Sequence, residues 1–209
     1  MPDSKPTDAD TKRGARERQI LGATMRLVRR HGTGISTAQI AAEARCSKET
    51  LYNWFDDRDG IFLALVRAQA AEMNKALLAG FSASEGRLEE RLRAYATCLL
   101  DIMTGDALIV VNRIAMAQAC EDVSELGQTV LGSWSQQVEK PFLSLFEEGN
   151  RNGTLAVHDS QEAFEALLGL LLGDRFRRLL LGEDARPSSE SMAPIAAKAV
   201  QRWLILYRI

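Results

Sequence analysis

Two apolar stripes of only about two helical turns each, separated by three residues, constrain this chain more than anything else in it. Within Ser36 to Phe55, STAQIAAEARCSKETLYNWF, the first stripe is Ile40, Ala41 and Ala44 and the second is Leu51 with Phe55, both at helical spacing. Helices this short do not persist alone in water, so the pair must fold against each other and against a third element. Arg45-Cys46-Ser47 lies between them. Cys46 offers a small apolar group to the helix pair, and Ser47 can cap the second helix through its side-chain oxygen. Glu49 follows Ser47 by two positions rather than three, which removes the reciprocal capping box but leaves a carboxylate suited to the first turn. The spacing predicts a helix-turn-helix.

The third element precedes it. From about Thr11 to His31, residues Ile20, Ala23, Thr24, Leu27 and Val28 recur on one face, with six arginines on the others, and Gly32 and Gly34 end the helix. After Phe55, Asp56-Asp57-Arg58-Asp59-Gly60 reads as a break and a fresh helix start, and Ile61, Leu65 and Ala68 begin another buried stripe.

Charge is distributed unevenly. Residues 11 to 55 carry nine Lys or Arg against three Glu, a balance of +6, on a chain whose net charge is -2. A basic end on an acidic protein suits a phosphate-facing surface. Arg-rich helix surfaces also arise for solubility, so the charge gains its meaning from the helix-turn-helix spacing beside it.

These residues resemble the TetR family of one-component transcriptional regulators. The shared pattern is His31-Gly32, Thr37, Ile40-Ala41, Ala44, Ser47, Leu51-Tyr52 and Phe55, then Arg58 with Phe62 four positions on, and the likeness is motif-specific over residues 12 to 66. Two positions depart from it: Arg45 stands where the family usually has glycine, and Arg58 where it usually has lysine. A left-handed Arg45 would cost on the order of 1 kcal/mol relative to glycine and re-aim the turn, whereas Arg58 keeps the positive charge.

The resemblance implies specific roles. Thr37, Ser47, Lys48, Tyr52 and Arg58 are expected to engage phosphates, fixing register without reading sequence. Ala38, Glu49, Thr50 and Asn53 are expected to face base edges, with Asn53 suited to adenine and Glu49 to a cytosine amine. Trp54 either packs against the first helix or presses on sugar and phosphate, and packing is the preferred reading. Cys46 reads as core rather than sensor.

The expected architecture is all-α with about nine helices. Residues 1–10, polar and proline-bearing, read as a disordered arm without the apolar stretch of a signal peptide. Residues 11–58 form the helix-turn-helix domain and 59–209 a helical ligand-binding and dimerisation domain. Breaks are expected at Gly80 to Gly86, Gly105-Asp106, Cys120 to Val123, Gly149 to Asp159 and Gly182 to Ser189, and Pro141 is expected to kink a helix from Val123 to Asn150. The apolar run Ala166 to Gly173 is far too short to span a bilayer. Cys46, Cys98 and Cys120 are widely spaced with no CxxC, which fits a reducing cytoplasm and suggests neither a metal site nor a cofactor.

From Phe164 to Leu181 and from Ile195 to Tyr207 the helices are apolar nearly all round, which requires cover on both sides. One side can pack on the domain core. The other resembles the family's four-helix dimer interface, here Leu168, Leu171, Leu172, Arg175, Phe176, Ile195, Ala199, Arg202, Trp203 and Leu206; an interior position in a monomer is the alternative. A homodimer would present two heads to a pseudopalindromic operator in double-stranded DNA.

Helices between about residues 87 and 150 are expected to line an effector pocket, with Leu99, Met103, Asn112, Met116, Trp134, Val138 and Phe142 as candidates. Met and aromatic stripes are more often plain core. Arg113 and Gln118 either orient a ligand or face solvent. The implied effector is small and largely apolar, and the implied mechanism is a two-state equilibrium in which the apo dimer binds DNA and ligand releases it. A ligand preferring the released state about 100-fold supplies about 2.7 kcal/mol of coupling.

Other classes stay open from sequence. An enzyme is disfavoured because His31 and His158 are the only histidines and neither lies in a metal or nucleophile constellation. A small-molecule-binding protein with a vestigial head, or an activator of the same fold, also fits the residues.

Overall fold

The computed structural model describes residues 8–82, 86–119, 125–134 and 138–209. Eleven helices follow one another: α1 (Asp8–His31), α2 (Thr37–Ala44), α3 (Lys48–Phe55), α4 (Arg58–Ser82), α5 (Leu88–Thr104), α6 (Asp106–Ala119), α7 (Glu125–Trp134), α8 (Lys140–Arg151), α9 (Ser160–Leu172), α10 (Arg175–Leu180) and α11 (Ser189–Tyr207). The described residues form no strand, only an isolated antiparallel bridge between Leu155 and Arg208. The all-α expectation holds, with eleven helices among the described residues where about nine were expected.

Two places bear on the difference. Gly173, at φ +52°, ends α9 after its N–H donates to Gly169 O at 2.9 Å, so the segment from Phe164 to Leu181 is two helices and not one. Pro141 sits in the first turn of α8. Val138 and Glu139 directly before α8 are also helical, with Glu139 at φ -68°, ψ -52°, and the expected kink falls in a stretch whose residues 135–137 lie outside the described residues. At the N-terminus α1 begins at Asp8, so Asp8 to Asp10 of the expected arm are its first turn. Residues 1–7, 120–124 and 135–137, on which parts of the expected arm, the Cys120 to Val123 break and the Val123 to Asn150 helix fall, lie outside the described residues, as do 83–85 within the Gly80 to Gly86 break.

Two hydrophobic cores organise the fold. The larger gathers α5, α8, α9 and α11 around an aromatic column. Tyr95 meets Phe142 edge-on with ring centroids 4.1 Å apart, Phe142 lies 5.3 Å from Phe164, and Phe146 stacks on Trp203 at 4.8 Å. The polar ends of this column are satisfied: Trp203 Nε1 donates to Ala163 O at 2.7 Å and Tyr95 Oη to Val138 O at 3.2 Å, as buried aromatic polar atoms require.

The second core is the head, and it does not end with the head. Ile20, Ala23, Leu27 and Val28 of α1 pack with Ile40 and Ala44 of α2, Leu51 and Phe55 of α3, and Ile61, Phe62, Leu65 and Val66 of α4; Val110, Val111, Ile114 and Ala115 of α6 and Leu126 of α7 complete the same cluster. Two ion pairs reinforce the join: Arg29 to Asp106 at 3.4 Å and Arg67 to Glu125 at 3.1 Å. Such exposed pairs add little energy, so the apolar contact is what couples the head to α6.

No single helix among the described residues is long and apolar enough to cross a membrane. Only α5 and α6 taken together pass such a test, with a bend of 55° between them, and most of their apolar side chains are packed in the two cores.

Candidate nucleic-acid interface and effector cavity

The first recognition element is built by its caps. At the start of α2 the Ser36 hydroxyl accepts from Gln39 N at 3.3 Å and the Gln39 carboxamide oxygen accepts from Ser36 N at 2.8 Å. This is a capping box that satisfies two orphan donors reciprocally, and it begins one residue before the expected phosphate contact Thr37. At the start of α3 the Ser47 hydroxyl accepts from Thr50 N at 3.1 Å, and no reciprocal bond from position 49 accompanies it, as the spacing predicted.

The turn between α2 and α3 is a Schellman motif. Cys46 N donates to Ala41 O at 2.9 Å and Arg45 N to Ala42 O at 3.2 Å, which requires the left-handed backbone that Arg45 adopts at φ 52°, ψ 51°. Helix α1 compensates for the absence of glycine there. Arg16 Nη2 donates to Arg45 O at 2.8 Å, and Gln19 Nε2 donates to Ala44 O at 3.2 Å. The carbonyls that the end of α2 leaves open are thus held by the first helix. A second clamp is electrostatic: Arg26 and Arg30 reach Glu43 at 3.0 and 2.9 Å, and hydrogen bonds from Arg26 first and Arg30 second hold the Glu43 carboxyl below the usual carboxylate range.

With Leu51 and Phe55 turned into the core, α3 presents its opposite side outward. Lys48, Glu49, Tyr52 and Asn53 are exposed, as is Ala38 of α2, while Thr37 and Thr50 are half-buried. The Tyr52 hydroxyl lies 3.5 Å from Thr37 Oγ1 and Ser47 Oγ 2.9 Å from Thr50 Oγ1, so the hydroxyl-bearing candidates of the two helices fall into neighbouring pairs on one surface. Arg58, also exposed, lies 3.5 Å from Asp59 and over the Phe62 ring at 5.7 Å, which orients its guanidinium at the start of α4.

Trp54 resolves in favour of packing. It is half-buried against the head core, with Arg13 of α1 over its ring at 5.8 Å. Cys46 is likewise half-buried on the edge of that core.

A cavity of about 310 Å³ lies where the two cores meet. Helix α4 contributes Val66, Gln69, Ala70 and Met73, and α5 with α6 contributes Met103, Leu108, Val111 and Asn112. Val130, Leu131 and Trp134 of α7 and Leu168, Leu172 and Phe176 of α9 and α10 line the rest of it, and it opens to solvent beside Leu131, which is 71% exposed. Val66 and Val111 belong to this wall and to the head core at once. A wider cleft of about 720 Å³ at the far end, between the start of α5 and the last residues of the chain, is lined by charged groups including Arg87, Glu89, Arg93 and Arg208. It shares no residue with the head core, so its size does not make it the regulatory site.

Of the residues expected in the pocket, the structure brings Met103, Asn112 and Trp134 to the cavity wall. Leu99, Val138 and Phe142 are fully buried in the larger core and do not line the cavity, and Met116 is 57% exposed on the outer side of α6. Arg113 does neither of the things expected of it: its Nε and Nη2 donate to Leu180 O at 3.1 Å and Leu179 O at 2.7 Å, capping α10 from α6. Gln118 is half-buried and does not line the cavity. The wall from α4 was missed, because Gln69 and Met73 sit on a helix read only for its first apolar stripe.

The dimer candidates divide in the same way. Leu171, Leu172, Ala199 and Trp203 are buried within the single chain, so they cannot form an outer surface, and Leu172, with half-buried Leu168 and Phe176, faces the cavity. Arg175 is half-buried, Nη1 lying 3.5 Å from Leu171 O and 3.4 Å from Leu172 O. Ile195 packs on the edge of the larger core. Arg202 and Leu206 stand exposed, and the outer side of α11 also carries Ile205, 78% exposed, which was not among the candidates. The signal was available: Met192, Ala196, Ala199, Val200 and Trp203 trace one inward stripe, and Ile205 lies off it.

The helix-turn-helix and the domain behind it both find counterparts. Residues 20–65 match the family model of bacterial regulatory proteins of the tetR family, and residues 90–209 match that of the C-terminal domain of AefR-like transcriptional repressors. The chain belongs to the TetR family of DNA-binding, non-enzymatic transcriptional regulators. A TetR transcriptional regulator from Agrobacterium tumefaciens is 34% identical over 92% of this chain and 94% of its own, with a TM-score of 0.69. The fold is also that of the flavonoid-responsive regulator FrrA, at 22% identity over 93% and 98% of the two chains and a TM-score of 0.66. It is shared as well with the fatty acid degradation regulator FadR from Bacillus halodurans, at 16% identity over 88% and 97% with a TM-score of 0.65. No match is found among curated proteins.

Proposed function

We propose that this regulator is a cytoplasmic homodimeric repressor that binds a pseudopalindromic operator and is released by a small, largely apolar effector. The head, residues 11–58, grips the duplex, with Thr37, Ser47, Lys48, Tyr52 and Arg58 on phosphates and Ala38, Glu49, Thr50 and Asn53 toward base edges. The remainder, residues 59–209, holds the effector and the dimer contact, the latter through the outward sides of α9 and α11, including Arg202, Ile205 and Leu206. Repression rather than activation is supported by the match to the repressor-type C-terminal domain. An apolar effector is supported by the cavity lining and by the names of the flavonoid-responsive and fatty-acid-degradation neighbours.

The observation that carries the reading is the double membership of Val66 and Val111 in cavity wall and head core. A ligand that moves either side chain moves the packing under α1 and α4, which sets the separation of the two recognition helices. It shifts the equilibrium only by its differential affinity for the two states. Filling the cavity from a residue outside the head core tests this. Ala70→Trp is expected to imitate a bound effector and weaken binding to a selected operator by about tenfold or more, with helix content and dimer state unchanged. Unaltered operator affinity in a correctly folded Ala70→Trp dimer would contradict the coupling.

A further inference from the structure

The cavity wall is informative about charge and hydrogen bonding as well as size. Among the described residues that line it, none is charged, and its polar side chains are the carboxamides of Gln69 and Asn112 and the indole of Trp134. The arginines next in sequence to lining residues are engaged elsewhere: Arg113 on the end of α10, Arg175 near the last carbonyls of α9, and Arg67 on Glu125. A carboxylate seated among these residues would meet no counter-charge in the lining, and whatever part of it is taken out of water costs far more than burying a neutral polar group.

Hydrogen bonding narrows the class further. Asn112 Nδ2 donates to Leu108 O at 2.9 Å; a carbonyl oxygen only accepts, so this bond fixes which end of the carboxamide is nitrogen. Among the described residues no donor reaches Asn112 Oδ1, and the Gln69 carboxamide, half-buried on α4, has no hydrogen-bond partner. A partly buried acceptor without a donor favours a ligand that brings one.

We propose that the cavity takes a neutral, apolar ligand bearing a hydroxyl group, which donates to Asn112 Oδ1 and accepts from the Gln69 carboxamide. A hydroxyl has the one donor and two acceptor positions that this pair needs. An ether or ester of the same shape cannot donate, and a carboxylate would set oxygen against oxygen at Asn112. The volume, at the lower end of the roughly 300–1,000 Å³ typical of small-molecule sites, suits a compact skeleton of one or two fused rings. The inference rests on the effector reading above.

Three probes of similar skeleton test it at neutral pH by titration calorimetry on the intact protein: 2-naphthol, 2-methoxynaphthalene and 2-naphthoate. The expected order places 2-naphthol at least about tenfold tighter than either of the others, because a site that pairs a hydroxyl discriminates strongly against analogues lacking it. Asn112→Leu is expected to erase the advantage of 2-naphthol over its methyl ether while leaving the ether's own affinity in place, and Ala70→Trp to block all three. Binding of 2-naphthoate as tight as that of 2-naphthol, or a preference for the hydroxyl that survives Asn112→Leu, would overturn the inference while the block by Ala70→Trp kept the cavity as the ligand site. Binding of none of the three to the unaltered protein would remove both.

Discussion

A Cβ placed on Gly60 would lie 1.9 Å from the carbonyl oxygen of Phe55, so the last residue of the recognition helix and the first turn of α4 touch backbone to backbone. The chain reaches this approach through Asp56, at φ 63°, ψ -57°, around which Asp57 N donates to Phe55 O at 2.7 Å. That is a γ-turn of the strained type, and Asp57 Oδ1 then accepts from Gly60 N at 2.7 Å to start α4. No side chain fits at position 60 without moving α4 away from α3. Gly60→Ala is expected to lower stability by about 3 kcal/mol, read as the shift in urea midpoint, and to abolish operator binding at temperatures where the protein remains folded. A wild-type midpoint in that variant would show that the junction has slack.

Arg45 makes the opposite prediction. It holds a left-handed backbone with a Cβ, and its carbonyl, which Arg16 binds, survives any substitution. Arg45→Gly should therefore raise stability, by about 0.5–1 kcal/mol, whereas Arg45→Ala should not. Equal midpoints for the Gly and Ala variants would mean that the turn carries no conformational strain.

The clamp of Arg26 and Arg30 on Glu43 predicts a pH dependence. The folded-state carboxyl is depressed, by the hydrogen bond from Arg26 first and from Arg30 next, so its contribution is present above the unfolded value of about 4.3 and is lost as pH falls through the lower folded value. Glu43→Gln should lower stability at neutral pH, where the carboxylate contributes, and leave low pH little changed, which flattens the acid limb of the stability profile. An unaltered acid limb would contradict the assignment.

Ile205 and Trp203, two residues apart on α11, should separate assembly from folding. Ile205→Glu is expected to shift the protein from dimer to monomer in sedimentation with its helix content intact. Trp203→Ala removes a stacked, fully buried ring and its bond to Ala163, and should cost about 3–5 kcal/mol of stability. A dimeric Ile205→Glu variant would place the interface elsewhere.

These contrasts explain what was legible in the sequence. The helix-turn-helix could be read because its determinants are local: the Ser47 hydroxyl accepts from the backbone N–H of Thr50, three residues on, and Leu51 and Phe55 are four apart. The cavity was legible only in part. Met103, Asn112 and Trp134 lie on helices read as pocket-forming, but Gln69, Leu168 and Phe176 reach the same space from helices distant in sequence, and no periodicity reports a tertiary meeting of that kind. Leu99 and Phe142 have the same apolar character as true lining residues and differ only in what surrounds them. On α11 nearly continuous apolarity hid the distinction between the inward face of Trp203 and the outward face of Ile205. Arg16 and Gln19, which hold the turn, carried no signal beyond being polar residues on an exposed face.

Phosphate contacts and base contacts should respond differently to mutation. Lys48→Ala and Tyr52→Ala are expected to weaken binding to all duplexes, the lysine change also reducing the salt slope by about one. Asn53→Ala should relax preference at one position of each half-site at a cost of about 1–3 kcal/mol. Uniform weakening by Asn53→Ala would move it to the phosphate group.

The central claim is that the head reads a symmetric DNA site as a dimer, and selection from a random duplex library by the purified protein at two salt concentrations tests it most directly. The account predicts one enriched pseudopalindrome at both salts, with the preference at one position per half-site lost in Asn53→Ala. Retention of DNA without any enriched motif, or no retention at either salt, would contradict it and leave the cavity as the functional part of the molecule.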